Sequence, residues 1–574
     1  MLLRKGEVDT EHQGLGCTPQ AAAKADSAPP VTIKRHWEDT MRNRMHCFAL
    51  ACFALAGVMA LSVATAATAW AQKAGGILKI QHMDTPPSAS IHEEATVSTA
   101  VPFMSVFNNL VMFDQNVGKN SFESIVPDLA TSWSWSGDGT KLAFKLRQGV
   151  KWHDGKPFTA KDVQCTFEML LGTDKLRRNP RQAWYGNVEK VTADGEFDAT
   201  FHLKAPQPSL LALLSSGYTP IYSCHVPVAD MRRHPIGTGP FKFVEFKMKE
   251  SIKLAKNPDY WKPGRPYLDG IEFTIIPDRS TRMLSFVAGK FDMTFPTDVT
   301  VPLLKNLKKD APQAQCTMRA TGVATNLIVN RDLPPFDNPK IRRAMALTLD
   351  RQEFITILSE GESTVGGAML APPDGVWGLP PERLKTIIGY GDVEKSREEG
   401  RALMREAGYG PDKRMKLKVS TRNIATFRDP ATILLDHLRH IYIDSELEII
   451  DTAVYYNRVF KKDYAVALNL SGSAVDDPDV TFFEGYACGS LRNYNNYCDP
   501  EMTKLFEAQS REVDQKKRIQ MVWDIDAKLQ EDIARPIISN GRAAGCWQPY
   551  VKNVTIHTNS IYNGWRFEDV WLDR

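Results

Sequence analysis

Net charge is what this 574-residue chain has least of: Lys and Arg together exceed Asp and Glu by only three. So even a balance presents no global field to a nucleic acid or an anionic membrane, and no nucleic-acid partner is expected. Cysteine is sparse, nine in all, and no two stand at C-x-x-C spacing, which argues against zinc ribbons and thioredoxin-type chemistry. Residues 72–574 contain no G-x-S-x-G elbow, H-E-x-x-H pair, Walker loop or dinucleotide fingerprint. They contain no internal repeat and no long low-complexity linker either. No cofactor, metal or catalytic residue is therefore expected. An exported hydrolase working through paired carboxylates is the alternative, since such pairs leave no regular spacing.

The amino terminus is informative. "MRNRMHCFALACFALAGVMALSVATAATAWAQ" opens on two arginines, runs apolar and leaves through small residues, with Ala69-Trp70-Ala71 as an A-x-A cleavage pattern. Residues 41–71 read as a signal peptide cleaved after Ala71, and the product as periplasmic. Residues 1–40 have no apolar periodicity and read as an over-extended or disordered N-terminus. Taking away the seven basic and six acidic side chains of residues 1–71 leaves 64 against 62, so the balance persists. Six cysteines remain, an even number that permits disulfides in an exported protein, and Cys488 to Cys498 is the shortest loop to close.

The exported part has ordinary globular composition and is too long for one hydrophobic core, so two or three domains are expected. In "LAFKLRQGVKWHDGKPFTAKDV", Leu142, Phe144 and Leu146 alternate as in a half-buried strand, and Asp154-Gly155 marks a tight turn. A helix follows, with Thr159 and Asp162 as its capping box. His153 and Asp154 thus have structural work at a corner, which outweighs a catalytic or metal role. Further on, Asn338-Pro339 starts a helix, Asp350 starts another with Glu353 as its box partner, and "SREEGRALMREAGYG" is amphipathic up to Gly408. The strand-like "MKLKVST", the helix "ATILLDHLRHI" and the strand-like "ELEIID" then alternate as in α/β layering.

Several blocks, in order, carry a family likeness: "DLATSWSWSGDGTKLAFKLRQGVKWHDGKPFTAKDV" at 128–163, "GTGPFKF" at 237–243, "NPDYWKPGRPYLDGIEF" from 257, "FDNPKIRRAMALTLDRQEFI" at 336–355 and "NYNNYCDPEMTKLFEAQ" from 493. Together they resemble the large peptide, dipeptide and nickel-binding solute-binding proteins of ABC importers. The resemblance implies an α/β, two-lobed periplasmic-binding-protein (Venus-flytrap) fold with an extra subdomain in lobe I. Lobe I would span 72–320 and regain the chain at 545–574, while lobe II would be the insertion 321–544. Cys316 and Cys546 would then lie near the two crossings, making a hinge disulfide conceivable. The protein would be a monomer that captures a peptide or other small polar or anionic solute between its lobes. It would deliver the solute to an inner-membrane ABC permease driven by a separate ATPase. A metal-chelate or nickel-type binder of the same fold is a further alternative.

The resemblance also locates ligand candidates. Peptide-binding relatives place Trp-x-x-Asp just before an acidic-Pro pair, the Asp neutralising the ligand's α-ammonium group. Counting back from Asp477-Pro478, those positions hold Ser471 and Ala474, so both signature residues are absent. Either Asp476 or Asp477 replaces the acid, or the ligand has no free α-amine. At the other end, the arginine that grips a ligand carboxylate falls on Thr421, one residue from Arg422. The two comparisons favour an anionic or neutral polar ligand over a zwitterionic dipeptide. Trp377 could stack on the ligand, and Asn493, Tyr494 and Asn495 offer hydrogen bonds, though packing and turn formation are competing roles. His437 and His440 could share a metal, against the plainer reading of a solvated helix face.

Overall fold

The computed structural model describes residues 72–172 and 175–574, so the expectations for residues 1–40, for the signal peptide and for cleavage after Ala71 lie outside the described residues. Within Gln72–Arg574 the chain makes one compact unit with three main sheets. In the first, Ile77–His82 pairs in parallel with Gly270–Ile275, and Ser251–Lys256 and Phe241–Lys247 continue it antiparallel. The second is wholly antiparallel, in the order Ala130–Trp135, Lys141–Leu146, Asp198–Leu203, Val188–Ala193. Its inward residues Phe144 and Phe201 meet Phe167 of the helix Ala160–Leu171, which closes that face.

The third sheet has five strands, Ile443–Ile450, Met415–Arg422, Val466–Gly472, Gln315–Val329 and Ile537–Trp547, in that spatial order. Its first three are parallel to one another. Parallel neighbours cannot be joined by a hairpin, so the helices Ala425–Arg439 and Thr452–Phe460 make the crossovers. The last two strands run antiparallel from Gln315 opposite Trp547 to Asn326 opposite Ile537, with the register broken between Ala320 and Ala324. One half of this pair buries Ala544 and Cys546 against Phe286, Phe291 and Val299. The other half buries Leu327, Val329 and Ile538 against Ile341, Phe354 and Leu434. Two strands therefore serve two separate cores.

Local chemistry explains the helix starts. Asn338 caps Pro339–Leu347 by accepting from the Lys340 amide at 3.0 Å, with Pro339 in the first turn. The Asp162 carboxylate accepts from the Thr159 amide at 3.0 Å, as the capping box requires. Asp350 accepts from the Glu353 amide at 3.0 Å, but Glu353 does not complete the expected box. Its carboxylate instead contacts His437 Nε2 at 2.7 Å. A tertiary partner has outcompeted the local one.

Among the described residues three disulfides are present, Cys165–Cys224, Cys316–Cys546 and Cys488–Cys498. Cys316–Cys546 joins the two shared strands across a separation of 230 residues, and so restrains the unfolded chain over a long loop. The C316S/C546S double variant is expected to lose about 2–4 kcal/mol in denaturant unfolding relative to wild type. Two free thiols at these positions in the oxidised wild-type protein, found by mass spectrometry after alkylation, would remove the bridge and this expectation together.

Candidate functional site

Where the register of the shared strands breaks, Gly322 adopts φ +66°, and a Cβ there would lie 2.5 Å from the Asn559 carbonyl oxygen. Gly472, at the end of its strand, is pressed against Tyr562, whose hydroxyl would lie 2.4 Å from an added Cβ. Glycine at both points lets the C-terminal segment 559–562 come down onto the sheet. Two cavities open beside this contact.

The larger, about 120 Å³, is lined by Met83, Thr96, Thr300, Arg422, Phe427 and Tyr456, among others. Arg422 ends its strand with the guanidinium 4.5 Å from the Phe427 ring and 5.2 Å from that of Tyr456. Its Nη2 donates to Asp84 Oδ2 at 2.9 Å, and Nη2 and Nε donate to Thr452 Oγ1 at 3.0 and 3.1 Å. The Thr452 hydroxyl donates to the same Asp84 oxygen at 2.7 Å. The carboxylate on Arg422 in this structure is thus the protein's own.

The smaller cavity, about 60 Å³, is lined by Gly322, Ser471, Asp476, Arg535, Asn540 and Asn559, among others. Ser471 Oγ accepts from Asn469 Nδ2 at 3.2 Å. Asp476 Oδ2 accepts from Asn559 Nδ2 at 3.2 Å. Burial pushes the Asp476 carboxyl up to about 7, the Asn559 bond opposes that, and the neighbouring Asp477 charge adds to it.

The remaining candidates have structural duties. Both oxygens of Asp477 accept from Arg518, at 2.8 and 2.9 Å, and Asp477 Oδ1 also caps the helix Pro478–Gly485 through the Asp479 amide. Trp377 is buried, its indole N–H donates to the Asp476 carbonyl at 2.9 Å, and its ring lies 4.7 Å from the Arg518 guanidinium. Ala474 is buried and its carbonyl accepts from Ser560 Oγ and Asn563 Nδ2, both at 3.0 Å. Asn493 spends its amide on the carbonyls of Tyr486, Ala487 and Tyr497, a turn-forming role. Asn495 is buried with its Oδ1 unpartnered, and it does not line this cavity.

The histidines are likewise occupied. His437 is buried between Glu353 and Phe354, a core position in place of a solvated face. His153 spans the Gly237 amide and the Gly239 carbonyl, and burial lowers it to about 4. Sequence reading missed Asp84, Thr452, Arg535, Asn540 and Asn559. None of them stands in a motif, and tertiary packing alone brings them together.

Two lobes closing over a cleft at a shared strand pair define a class, the two-lobed periplasmic binding proteins, and solved structures of that class superimpose on this one. The DppA protein of Helicobacter pylori in complex with peptide STSA matches at TM-score 0.77, 24% identity, 88% of this chain and 99% of that one. MoaA from A. tumefaciens R10 in complex with mannopinic acid matches at TM-score 0.77, 20% identity, 88% of this chain and all of the other. Residues 124–492 match the profile of the bacterial extracellular solute-binding proteins, family 5 (middle region), and the chain belongs to that family. Di/tripeptide-binding protein 2 of Pseudomonas aeruginosa is 26% identical over 491 residues, covering 78% of this chain and 87% of that protein.

Two measurements follow from this geometry. An Asp476 carboxyl near 7 when folded and near 4 when unfolded binds more protons in the folded state between those values, so the stability it confers at low pH is lost as pH rises through 7. The melting temperature of D476N minus that of wild type should therefore grow from pH 5 to pH 8, and a constant difference would contradict the burial. D84N leaves Arg422 without its carboxylate, and by analogy with other buried pairs costs about 3 kcal/mol in denaturant unfolding. A cost below about 0.5 kcal/mol would mean that Thr452 alone satisfies the guanidinium.

Proposed function

We propose that this protein is the periplasmic solute-capturing subunit of an ABC importer and that its solute presents a cationic amine to Asp476. Family membership supports the first part. Asp476 carries the second, as a half-buried carboxyl on a cavity wall whose side-chain partner is a neutral amide at 3.2 Å. An ammonium group entering the cavity would restore the ionised form, and Asp476 would then stand in for the acid missing at Ala474. Lobe I would comprise 72–320 with 545–574 and lobe II 321–544, the shared strands being the crossings.

A solute touching both lobes favours the closed form by its differential affinity, which is what closure requires. The closed monomer would then dock on a membrane permease powered by a separate ATPase. Binding without turnover is the expected activity, and peptides, peptide-derived compounds and other small amine-bearing solutes are the class to search. The first experiment is mass spectrometry of small molecules released by denaturing the freshly purified protein. The expected finding is an amine-bearing solute whose affinity falls at least tenfold in D476N. Recovery of a solute with no amine, or unchanged affinity in D476N, would overturn the role of Asp476 while leaving the capture function standing.

A further inference from the structure

The 60 Å³ cavity has a second charged wall. Arg535, 5% exposed, precedes the strand Ile537–Trp547, and all its hydrogen bonds go to neutral oxygens. Nη2 donates to the carbonyls of Gly485 at 3.0 Å and Arg492 at 2.8 Å, Nη1 reaches Ser471 Oγ only at 3.4 Å, and Nε has no partner. Asn540 Nδ2, on the same cavity wall and from a side chain 4% exposed, also has no partner. Of the two acids on this cavity, Glu484 is already spent, because it accepts from Arg492 Nη1 and, at 2.6 Å, from the indole N–H of Trp184, and Asp476 pairs with Asn559 and not with Arg535. A local excess of positive charge also registers on Lys462, lowered to about 8 first by burial and then by Arg535.

A buried guanidinium without an acid is costly, and donors left open in a cavity are where an acceptor belongs. Arg181 and Arg331 also cap carbonyls and leave Nε unpartnered, but neither faces this cavity. At about 10–15 Å³ for each enclosed water, the space accepts a group the size of a carboxylate or phosphate.

We infer that Arg535, with Asn540 and Ser471 beside it, is an anion subsite that takes a carboxylate or similarly sized oxyanion of the captured solute. This rests on reading the cavity as the solute site. With Asp476 on the same cavity it narrows the solute class to small zwitterions that carry an amine and an acid group. It also moves the anionic end of the ligand away from Arg422, where Asp84 already sits.

Isothermal titration of the solute-stripped protein with sodium acetate and with sodium phosphate, at ionic strength held constant with NaCl, tests the subsite without needing the natural solute. Saturable binding of at least one of the two anions is expected in wild type. It should weaken at least tenfold in R535Q and in N540D, which sets a negative charge beside the guanidinium. It should persist in K340Q, which removes an exposed cation elsewhere. If R535Q does not fold, N540D and R535K carry the test, R535K retaining part of the binding. No saturable binding in wild type, or equal binding in the folded cavity variants, overturns the subsite. Failure of the solute-capture reading shows separately, in the mass spectrometry of released molecules.

Discussion

The strands Gln315–Val329 and Ile537–Trp547 belong to two hydrophobic cores at once, and the rest of the molecule is arranged around that constraint. Each core alone fixes only its own half of the pair. The register break at Ala320–Ala324 falls between the halves, where Gly322 lets the C-terminal segment approach the sheet. Both cavities open there for the same reason. A backbone that cannot continue its ladder is free to bend, and the side chains beside it belong to neither core.

Charge distribution follows from this arrangement. Around the larger cavity the cation is satisfied internally, as Arg422 is held by Asp84 and Thr452 between two aromatic rings. Around the smaller one both signs are left without a hydrogen-bonded charge partner, Asp476 with the amide of Asn559 and Arg535 with carbonyls and a distant hydroxyl. Buried groups in a low-dielectric setting interact strongly with whatever does pair with them. A cavity that keeps such groups incompletely matched gives up stability when empty and gains affinity when filled. Some buried ions elsewhere are matched closely, as at Arg518 with Asp477 and Asp479 or at Glu93 with Arg232.

Much of the fold was legible in the sequence because it is written in local chemistry. Alternation in Leu142, Phe144 and Leu146, the Asn338-Pro339 start and the stop at Gly408 are each decided within a few residues. The candidate site was legible only in part. Asp476 could be named because Asp477-Pro478 anchors a register, but nothing local tells which acid Arg518 will claim. Trp377 looked suited to stacking on a solute, yet a loop tryptophan is equally suited to covering a buried guanidinium, and here it covers that of Arg518. The Glu353 carboxylate shows the same competition, leaving its own helix start for His437.

By itself the sequence determined the export signal as an expectation, the α/β alternation, the helix caps and the likeness to a family, since each depends on neighbours in the chain or on short ordered blocks. It also determined that the usual acid is gone, with alanine at 474. Only the tertiary structure decided which charges meet. Asp84 and Arg422 stand 338 residues apart, and Asn559 and Asp476 83 apart, so no pattern of spacing could pair them. Those pairings depend on how two cores are hung on one pair of strands, and that is a property of the assembled chain.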